Sequence, residues 1–275
     1  MKKILVTGCN GNLASSFIKK YHKQYNFLGI DKQKKTNLKI KKYINKDILK
    51  IKKILTNKKL VLLHFSGYTR TSQCETDPIG CIKNNILAPI HLLNIINSKK
   101  IKSIIYTHSY QSIYDKNKML KTIYGDSKSF LENYLIKFCV KNKIKLRIVY
   151  LPDIFFEKIN SKKFFEEAFG KLKKNKKIII EKNSTLNFVK SENLIHFFFK
   201  LIENDLKKNI ISYIVKPDLS ISLKNYITKL KIFTSSNSTI HSKKNKNYKY
   251  KISRQKISFN KKYSINELLK IKYTK

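Results

Sequence analysis

The sequence predicts an α/β protein built on a doubly wound parallel sheet. A glycine-containing turn follows the apolar run 4–6 and leads into a helix-like stretch, 13–21. Further runs at 27–30, 60–67 and 101–107 alternate with helical segments. The run at 60–67 is largely apolar until it ends in small residues, as in parallel strands covered on both faces. Strands that alternate with helices indicate parallel strands joined by crossover helices.

The first predicted strand ends in a turn with three small residues at regular spacing. Gly8, Gly11 and Ala14 form the pattern G-x-x-G-x-x-A. The first glycine allows a tight turn, the second lets the backbone approach a pyrophosphate, and the small Ala14 lets helix and strand pack closely. The amino terminus of the helix offers N–H donors to an anion. The pattern predicts a phosphate-binding turn of the Rossmann type.

An acidic residue, Asp31, ends the second predicted strand. It lies about 20 residues beyond the glycine turn, where a carboxylate can bond the ribose hydroxyls of a dinucleotide and repel a 2′-phosphate. This favours NAD over NADP, although Lys32, Lys34 and Lys35 follow and could neutralise a phosphate. Asp47 begins a helical stretch, where it serves either as an N-cap or as an adenine contact.

Weaker patterns predict the remaining elements. The helix over 79–98 contains Pro89, which should kink it or remove one hydrogen bond. Beyond Pro152 the sequence predicts helices over 164–172 and 192–203, strands over 177–181, 186–189 and 210–215, a serine-capped helix from 220, a flexible loop over 235–248 and a helix with a capping box over 264–269. We expect the strand over 210–215 to return to the main sheet and the phenylalanines at 197–199 to lie in the core.

The chain also carries a pair of residues suited to proton transfer. Tyr124 and Lys128 are four residues apart at the start of a predicted helix, so they share one helix face. A nearby ammonium favours the phenolate and lowers the pKa of a tyrosine, which makes it usable as a proton donor and acceptor. The spacing alone is common in a chain rich in both residues. Ser109, at the carboxyl end of the preceding predicted strand, makes the functional interpretation stronger, because ligands of such sheets bind there.

Length and composition limit the class of protein. A chain of 275 residues suits one large α/β domain or one domain with a small appendage. The cysteines form no Cys-x-x-Cys pair and lie near no histidine cluster, so we expect reduced thiols in a cytoplasmic protein; they are Cys9, Cys74, Cys81 and Cys139. The densest apolar stretch, 194–202, is too short to span a membrane. We expect no membrane span and no metal site.

The net charge of +43 raises the question of a polyanionic partner. Nucleic acid or an anionic membrane would explain such a charge. The alternative is compositional bias, because the lysines are scattered along the chain and only Arg70, Arg147 and Arg254 are arginines. Arginine is the preferred residue for bidentate phosphate and base recognition. Its scarcity favours compositional bias, and we do not expect nucleic acid as a partner.

Taken together, these residues resemble the extended short-chain dehydrogenases/reductases, in particular the NAD-dependent epimerase/dehydratase family acting on nucleotide sugars. The motifs that carry the resemblance are Thr7-Gly8-x-x-Gly11-x-x-Ala14, Asp31, His64-Phe65-Ser66-Gly67, Asn85 with Leu92-Leu93, Ser109, Tyr124-x-x-x-Lys128, Leu151-Pro152 and Asn187-Phe188-Val189. The resemblance implies that Tyr124 is the acid/base and that Lys128 orients the nicotinamide ribose and tunes Tyr124. It also implies that Ser109 bonds the reacting oxygen.

The same resemblance implies which residues line the ligands. NAD(H) is the favoured cofactor, with NADP(H) as the alternative. The implied cofactor residues are Gly8, Asn10, Gly11, Asn12, Leu13, Asp31, Asp47, Ile48, Phe65, Ser66, Gly67, Asn85, Tyr124 and Lys128. The implied substrate residues, for a nucleotide sugar, are Tyr68, Ser109, Tyr110 and Asp153.

The chain departs from the family pattern near its active-site hydroxyl. Counting back from Ile113 places Tyr110 at the hydroxyl position, whereas counting from Tyr124 with a short loop selects Ser109, with Ser112 second. Such a short loop resembles a branch of nucleotide-linked 4-keto-6-deoxyhexose reductases similar to CDP-abequose synthase. The Asp-Glu pair that a 4,6-dehydratase needs is missing, which disfavours that reaction. Leucine also replaces the arginine common before Pro152.

We therefore expect a Rossmann-type NAD(P)-binding domain over 1–152 and a small C-terminal substrate-binding lobe over 153–275, interleaved with the last elements of the main domain. The predicted function is oxidoreduction at C4 of a nucleotide-linked sugar, for surface polysaccharide precursor synthesis. A 4-keto-6-deoxyhexose reductase is favoured because the lobe is short, and a 4-epimerase with retained NAD is the alternative. A non-catalytic dinucleotide sensor or nucleic-acid-binding relative is less favoured. A homodimer would form through the helices over 79–98 and 124–141.

Overall fold

The structure is a computed structural model that describes residues 1–112, 122–156, 164–181, 184–204, 208–243, 255–257 and 264–267. Its strands are β1 (Lys2–Thr7), β2 (Tyr25–Asp31), β3 (Lys42–Asn45), β4 (Leu60–His64), β5 (Ile101–Ser109), β6 (Lys145–Leu151), β7 (Asp153–Phe155), β8 (Ile178–Glu181), β9 (Thr185–Lys190), β10 (Ile210–Val215), β11 (Leu219–Ser222), β12 (Ile240–Lys243) and β13 (Gln255–Ile257). Its α-helices are α1 (Asn12–Tyr21), α2 (Thr71–Thr76), α3 (Pro78–Ile82), α4 (Ala88–Ile95), α5 (Ile123–Lys141), α6 (Phe164–Lys173), α7 (Ser191–Glu203) and α8 (Leu223–Phe233).

The main sheet has the strand order β13-β10-β6-β5-β4-β1-β2-β3. Each neighbouring pair from β10 to β3 is parallel. The chain moves outward from β1 to β3 in one direction and from β4 onward in the other, so the order reverses between β1 and β4. Ligands of such sheets bind beyond the carboxyl ends of the strands at this reversal. The predicted doubly wound parallel sheet is confirmed, and β10 joins it as expected.

The central strands are covered on both faces, which explains their nearly continuous apolar sequence. All five residues of β4 and residues 4–6 of β1 are buried. Helix α1 buries Ala14, Phe17, Ile18 and Tyr21, which recur at helical spacing on one face. This packing fixes α1 against the sheet, directly after the glycine turn.

The phenylalanines at 197–199 on α7 pack as the sequence analysis expected. Phe197 and Phe198 are buried, and the ring of Phe198 packs against that of Phe65 with centroids 5.1 Å apart. Phe199 stacks on Tyr21 of α1 with centroids 4.7 Å apart. These rings therefore pack in the core beside the main sheet, as predicted.

The helix predicted over 79–98 is divided into three pieces. α3 ends at Ile82, a π-helical turn covers Lys83–Leu87, and α4 begins at Ala88. Pro89 lies in the first turn of α4, where the missing N–H removes no bond internal to α4. The wide π turn takes up the distortion that a proline causes inside a continuous helix. The predicted helical segment lies where the sequence places it, but it is not one continuous helix.

Two of the four cysteines are joined to each other. A disulfide links Cys74 in α2 to Cys81 in α3, with 5.0 Å between the Cα atoms. The expectation of reduced thiols was wrong for this pair, because two short helices fold against each other and bring the sulfur atoms together. Cys9 and Cys139 are buried thiols, and burial is the main cause that raises the pKa of each to about 12.

The chain forms two compact units. The first comprises Met1–Leu151, Ile195–Ile214 and Tyr250–Lys256, and the second comprises Pro152–Leu194, Val215–Lys249 and Ile257–Lys275. The second unit contains a three-stranded sheet, β11-β9-β7, the parallel pair β8–β12, and helices α6 and α8. Within the part of the chain that the structure describes, no helix is both long and apolar enough to cross a membrane.

Two predictions for the second unit were wrong in detail. Within the predicted loop 235–248, Ile240–Lys243 forms β12, because β8 offers a backbone partner and Ile240 an apolar contact with the core; residues 244–248 lie outside the described residues. The helix predicted from 220 begins at Leu223, since the preceding residues pair with β9. Ser222 caps that helix by accepting the N–H of Asn225.

The predicted capping box near the C-terminus is confirmed within the residues described there. The N–H of Ser264 donates to the carboxylate of Glu267 at 2.7 Å, and the N–H of Glu267 donates to Ser264 Oγ at 3.2 Å. These reciprocal bonds satisfy two donors at a helix start. The rest of the predicted helix, 268–269, lies outside the described residues.

Candidate active site

The glycine turn after β1 is held against the residues that follow β4. The N–H of Gly8 donates to the carbonyl of Ile30 at 2.8 Å, and that of Gly11 donates to the carbonyl of Gly8 at 2.9 Å. Gly8 has a φ of 63°, and a Cβ atom there would lie 3.0 Å from Ser66 Cα. Glycine meets both the backbone angle and the close approach without strain. The turn is therefore built as the sequence predicts.

Helix α1 begins directly after this turn with an open amino terminus. Gly11 is its N-cap and has no side chain to accept from the first N–H groups, and the first turn carries no acidic residue. These N–H groups lack intrahelical partners, and together with the helix dipole they attract an anion. The N–H groups of Asn12 and Leu13 are therefore the ones placed to bind an anion, because that of Gly11 is already bonded to Gly8, and phosphate binding at this turn stays a prediction.

Asp31, the last residue of β2, lies against the same turn. Its Oδ2 accepts the N–H of Asn10 at 3.0 Å, and its Oδ1 accepts the N–H of Gln33 at 3.1 Å. The carboxylate is therefore fixed beside the glycine turn at the carboxyl end of the sheet. This is the position from which an acid can bond a ribose hydroxyl.

Asp47 is tied into the protein by two partners. Its Oδ1 accepts the N–H of Leu49 at 3.0 Å, as the N-cap of a short helix at Ile48–Lys50, and Oδ2 lies 2.9 Å from the ammonium of Lys32. Burial alone would raise the pKa of Asp47, but Lys32 and the Leu49 N–H lower it below its ordinary value. The N-cap role is therefore confirmed, and an adenine contact by Asp47 or Ile48 stays a prediction. Because Lys32 is paired with this acid, it is a weaker candidate for binding a 2′-phosphate.

Thr7 ties the end of β1 to the segment that follows β4. Its Oγ1 accepts the N–H groups of Phe65 and Ser66, each at 3.2 Å, and lies 3.0 Å from His64 Nδ1. Since the hydroxyl oxygen accepts two N–H groups, its proton is directed to the histidine. Burial, reinforced by the charge of Lys128, lowers the pKa of His64 to about 3, so this imidazole is neutral.

Asn85 holds the next part of the same loop. Its Oδ1 accepts the N–H of Tyr68 at 2.7 Å, and its Nδ2 donates to Ser127 Oγ on α5 at 3.0 Å. Gly67 has a φ of 135°, and a Cβ atom there would lie 2.6 Å from the Asn85 oxygen. Asn85 thus connects this loop to α5, and its predicted contact with the cofactor stays a prediction.

The predicted catalytic residues lie where β5 ends and α5 begins. Ser109 is the last residue of β5, and Tyr124 and Lys128 on α5 are only 8% and 6% exposed. Lys128 Nζ donates to the carbonyl of Thr107 at 3.3 Å, and the Tyr106 hydroxyl donates to the carbonyl of Lys128 at 3.2 Å. These bonds place Lys128 beside the strand end that carries Ser109. Burial lowers the pKa of Lys128 to about 8.

The start of α5 is fixed from two sides. Thr122 is the N-cap, and its Oγ1 accepts the N–H of Gly125 at 3.0 Å. Tyr124 packs in a buried cluster with the disulfide of Cys74 and Cys81. Cap and cluster together set the position of Tyr124 at the beginning of the helix.

A model of the NAD dependent epimerase/dehydratase family matches residues 4–213, which is more than half of the chain. The chain belongs to this family. Its members are enzymes, and the family resemblance derived from the sequence is confirmed. No curated protein matches the chain in sequence.

Solved structures with the same fold include epimerases and a dehydratase. The NAD dependent NDP-hexosamine 5,6-dehydratase TunA, of tunicamycin biosynthesis, has a TM-score of 0.78 at 13% identity, over 99% of this chain and 96% of that one. UDP-glucuronic acid 4-epimerase from Bacillus cereus, in complex with NAD, has a TM-score of 0.76 at 18% identity, over 99% and 96%. UDP-N-acetylglucosamine 4-epimerase from Methanobrevibacter ruminantium M1 has a TM-score of 0.72 at 17% identity, over 99% and 92%. At these identities the likeness shows the fold.

The residues around the glycine turn fit NAD, the dinucleotide for which the family is named. Gly8 leaves room for close approach, α1 offers open N–H groups, and Asp31 lies beside them. Ser66 Oγ, next to Gly8, is buried without a hydrogen-bond partner among the described residues. A buried hydroxyl of this kind calls for a partner. Among the residues described, no group of three or more His, Cys, Asp or Glu is arranged to hold a metal ion.

Among the three residues considered for the family's hydroxyl position, Ser109 stays the predicted one. Tyr110, which the alternative count selects, packs against the core of the main sheet, and burial raises its pKa to about 12. Ser112, the second choice, has its Oγ 2.6 Å from the carbonyl of Ser109 and so has a local structural partner. Ser109 combines a hydroxyl with a place at the end of β5.

Two of the predicted substrate residues, Tyr68 and Asp153, lie in different parts of the chain. The Tyr68 hydroxyl donates to Asp77 Oδ2 at 2.9 Å. This hydrogen bond is the main cause that raises the pKa of Tyr68. Asp153 is exposed at the start of β7, in the second compact unit. Substrate contacts by both residues stay predictions.

A buried polar group that was not predicted from the sequence lies next to Ser109. His108, Glu132 and Tyr150 lie together there, on β5, α5 and β6. One signal was available, since Glu132 follows Lys128 by four residues and shares its helix face. The contact with His108 and Tyr150 joins three separate elements, so spacing along the chain does not reveal it.

Proposed function

We propose that the chain is an NAD(H)-dependent oxidoreductase that acts at C4 of a nucleotide-linked sugar. The observation that supports this most directly is the buried pair of Tyr124 and Lys128 on α5. Lys128 also donates a hydrogen bond to the carbonyl of Thr107, two residues before Ser109 on β5. A nearby ammonium favours the phenolate of a tyrosine. A hydroxyl at the strand end supplies a second group for the same substrate oxygen. This arrangement suits reversible oxidation of a secondary alcohol.

In this proposal the chain's own residues handle the proton at the C4 oxygen. Tyr124 gives a proton to that oxygen in reduction or takes one from it in oxidation. Ser109 donates a hydrogen bond to the same oxygen, and Lys128 stabilises the phenolate and bonds the nicotinamide ribose. Bound NAD(H) supplies the hydride donor or acceptor. NADP(H) is less favoured because Asp31 lies beside the turn and Lys32 is paired with Asp47.

Within this class we favour a 4-keto-6-deoxyhexose reductase over a 4-epimerase. The support is the short connection between Ser109 and Tyr124 in the sequence. The 4-epimerases of the same fold favour the alternative, in which the dinucleotide is retained and hydride returns to the other face of the sugar. A dehydratase lacks support because Tyr110 and Gln111 supply no acid. A sensor or nucleic-acid-binding relative would not need the buried acid/base pair.

A homodimer through α3, the π turn and α5 belongs to the same proposal. These elements carry large exposed apolar side chains, namely Ile79, Ile82, Leu87, Phe130 and Val140. Such residues on adjacent helices suit a surface covered by a second copy. A cytoplasmic location and a role in surface polysaccharide precursor synthesis stay predictions alongside it.

The test is incubation of the purified chain with a panel of nucleotide sugars and their 4-keto-6-deoxy derivatives. Each mixture is run with NADH, with NADPH and without added cofactor, and the products are analysed by mass spectrometry. Consumption of reduced cofactor supports the reductase, whereas isomerisation without net consumption supports the epimerase. No product from any substrate would contradict the proposal.

A matched variant ties turnover to the site. We expect Tyr124→Phe to abolish turnover, because the proton donor is lost, while NADH binding measured by fluorescence stays close to that of the unmodified chain. Tyr213→Phe removes a buried hydroxyl elsewhere in the main sheet and serves as the control. Unchanged turnover in Tyr124→Phe would exclude Tyr124 as the acid/base.

A further inference from the structure

Behind the end of β5 lies a buried group of polar side chains that the proposed reaction does not use. His108 Nε2 is 3.2 Å from Glu132 Oε2, and the two side chains are 0% and 11% exposed. The Tyr150 hydroxyl lies 2.6 Å from both oxygens of this carboxylate. A buried carboxylate costs free energy unless it is paired and hydrogen-bonded. The partners of Glu132 are therefore a specific arrangement rather than a solvated surface contact.

The other edge of the His108 ring faces the backbone of Ser109. Nδ1 accepts the N–H of Ser109 at 2.9 Å and lies 2.5 Å from Ser112 Oγ. A ring nitrogen that accepts an N–H carries no proton, so the proton of the neutral ring is on Nε2. Nε2 lies 3.2 Å from Glu132 Oε2 but is not aligned for a hydrogen bond with it, so the contact is one of charge and distance. The imidazole thus lies between the buried carboxylate and the end of β5.

The surroundings keep this imidazole neutral. Burial lowers the pKa of His108, and the charge of Lys128 on α5 acts in the same direction, while Glu132 opposes both. The rings of Tyr106 on β5 and Tyr150 on β6 pack against His108 with centroid distances of 5.5 and 4.4 Å. Packing against these two rings restricts the rotation of the imidazole, and the bond from the Ser109 N–H sets which nitrogen faces the backbone.

We propose that Glu132 and His108 are positioning residues that hold Ser109 for the proposed reaction. The carboxylate of Glu132 lies nearest to Nε2 and favours the tautomer with its proton there, and His108 fixes the backbone N–H of the residue whose hydroxyl bonds the reacting oxygen. Neither side chain needs to touch the substrate. The inference rests on the proposed function, because only there does Ser109 contact the reacting oxygen.

The first test measures the hold on Ser109 without any substrate. Amide exchange of Ser109 is followed by NMR in the full chain and in His108→Phe, which keeps the ring packing but has no Nδ1. We expect exchange about tenfold faster in this variant. His108→Asn should restore slow exchange, since the amide oxygen takes the place of Nδ1, and Tyr213→Phe should match the unmodified chain. Unchanged exchange in His108→Phe would overturn the proposal.

The spectra of the unmodified chain also test the tautomer of His108. In nitrogen-15 spectra at pH 7 we expect a neutral His108 with its proton on Nε2. A charged ring, or a proton on Nδ1, would overturn the part assigned to Glu132. The corresponding spectra of the variants show whether each is folded, so a loss of structure is not mistaken for a loss of position.

The second test measures the consequence for catalysis on the sugar that the panel identifies. We expect kcat about 10- to 100-fold lower in His108→Phe, with the Kd for NADH unchanged and with rescue by His108→Asn. Unchanged kcat would show that the hold on Ser109 has no catalytic role. If no sugar is turned over by the unmodified chain, the proposed function fails, and the exchange measurement still decides whether His108 holds Ser109.

Discussion

Lys128 is an ammonium group that the fold has removed from water. Its ammonium nitrogen lies 5.2 Å from the centre of the Tyr106 ring and donates a hydrogen bond to the carbonyl of Thr107. Burial lowers the pKa of Lys128 to about 8. At neutral pH it keeps its proton and can stabilise the phenolate of Tyr124. Above pH 8 the charge is lost, so we expect its support for catalysis to weaken there.

The same shift makes a prediction for stability. Between pH 8 and 10.5 the unfolded chain holds a proton on Lys128 that the folded chain has lost, so the free energy of unfolding should rise with pH. We expect a rise of about 3 kcal/mol in the unmodified chain relative to Lys128→Met. Urea unfolding at several pH values measures it. Lys19→Met, exposed on α1, is the control and should keep the rise, whereas parallel curves for Lys128→Met and the unmodified chain would contradict the prediction.

Gly8 supplies the second prediction at the scale of a single residue. Alanine there would need a left-handed backbone and would place its Cβ 3.0 Å from the backbone of Ser66. We expect Gly8→Ala to lower the free energy of unfolding by about 1–2 kcal/mol and to weaken NADH binding. Gly170→Ala is the control, because a Cβ at that position meets no atom within 4 Å. Full NADH affinity in Gly8→Ala would exclude this turn as the pyrophosphate site.

At the scale of elements, the ends of strands and helices form the candidate site. β1 ends in the glycine turn, β2 ends in Asp31, and β5 ends in Ser109. The short helices α2 and α3 lie against the start of α5, where their disulfide packs with Tyr124. An element that carries no predicted catalytic residue therefore supports the acid/base.

The disulfide gives a prediction at this scale. Cys74 and Cys81 are seven residues apart, and closing so short a loop contributes about 2 kcal/mol. We expect the double variant Cys74→Ser, Cys81→Ser to lose about that much free energy of unfolding. Dithiothreitol should destabilise the unmodified chain similarly and leave the double variant unchanged. Equal stability with and without reductant would show that the bond contributes nothing.

At the scale of the whole molecule, exposed apolar side chains on α3, the π turn and α5 favour a dimer. Phe130 on α5 is 55% exposed, and Leu87 at the end of the π turn is 46% exposed. We expect Phe130→Glu to reduce the molar mass measured by light scattering from that of two chains to that of one. Ile232→Glu, at an equally apolar and 73% exposed position on α8, should keep the mass of two. A single chain in the unmodified protein would contradict the proposed dimer.

Much of the fold was predictable because it depends on local pattern. Gly8, Asp31 and the burial of residues 60–64 follow from spacing and composition along single elements. Pro89 was expected to disturb a helix, but the π turn that precedes it depends on how the flanking helices pack. β12 was missed for a related reason, since a short polar strand is recognisable only beside its partner β8.

The sequence by itself determined the doubly wound sheet, the glycine turn with its acid, and the pairing of Tyr124 with Lys128 on one helix face. Each of these is set by residues close together in the chain, whose spacing matches a turn, a strand or a helix. Only the tertiary structure decided that Cys74 joins Cys81 and that His108 links Glu132 to Ser109. Those contacts connect separate elements, and they exist because packing the sheet and helices into one core brings the elements together.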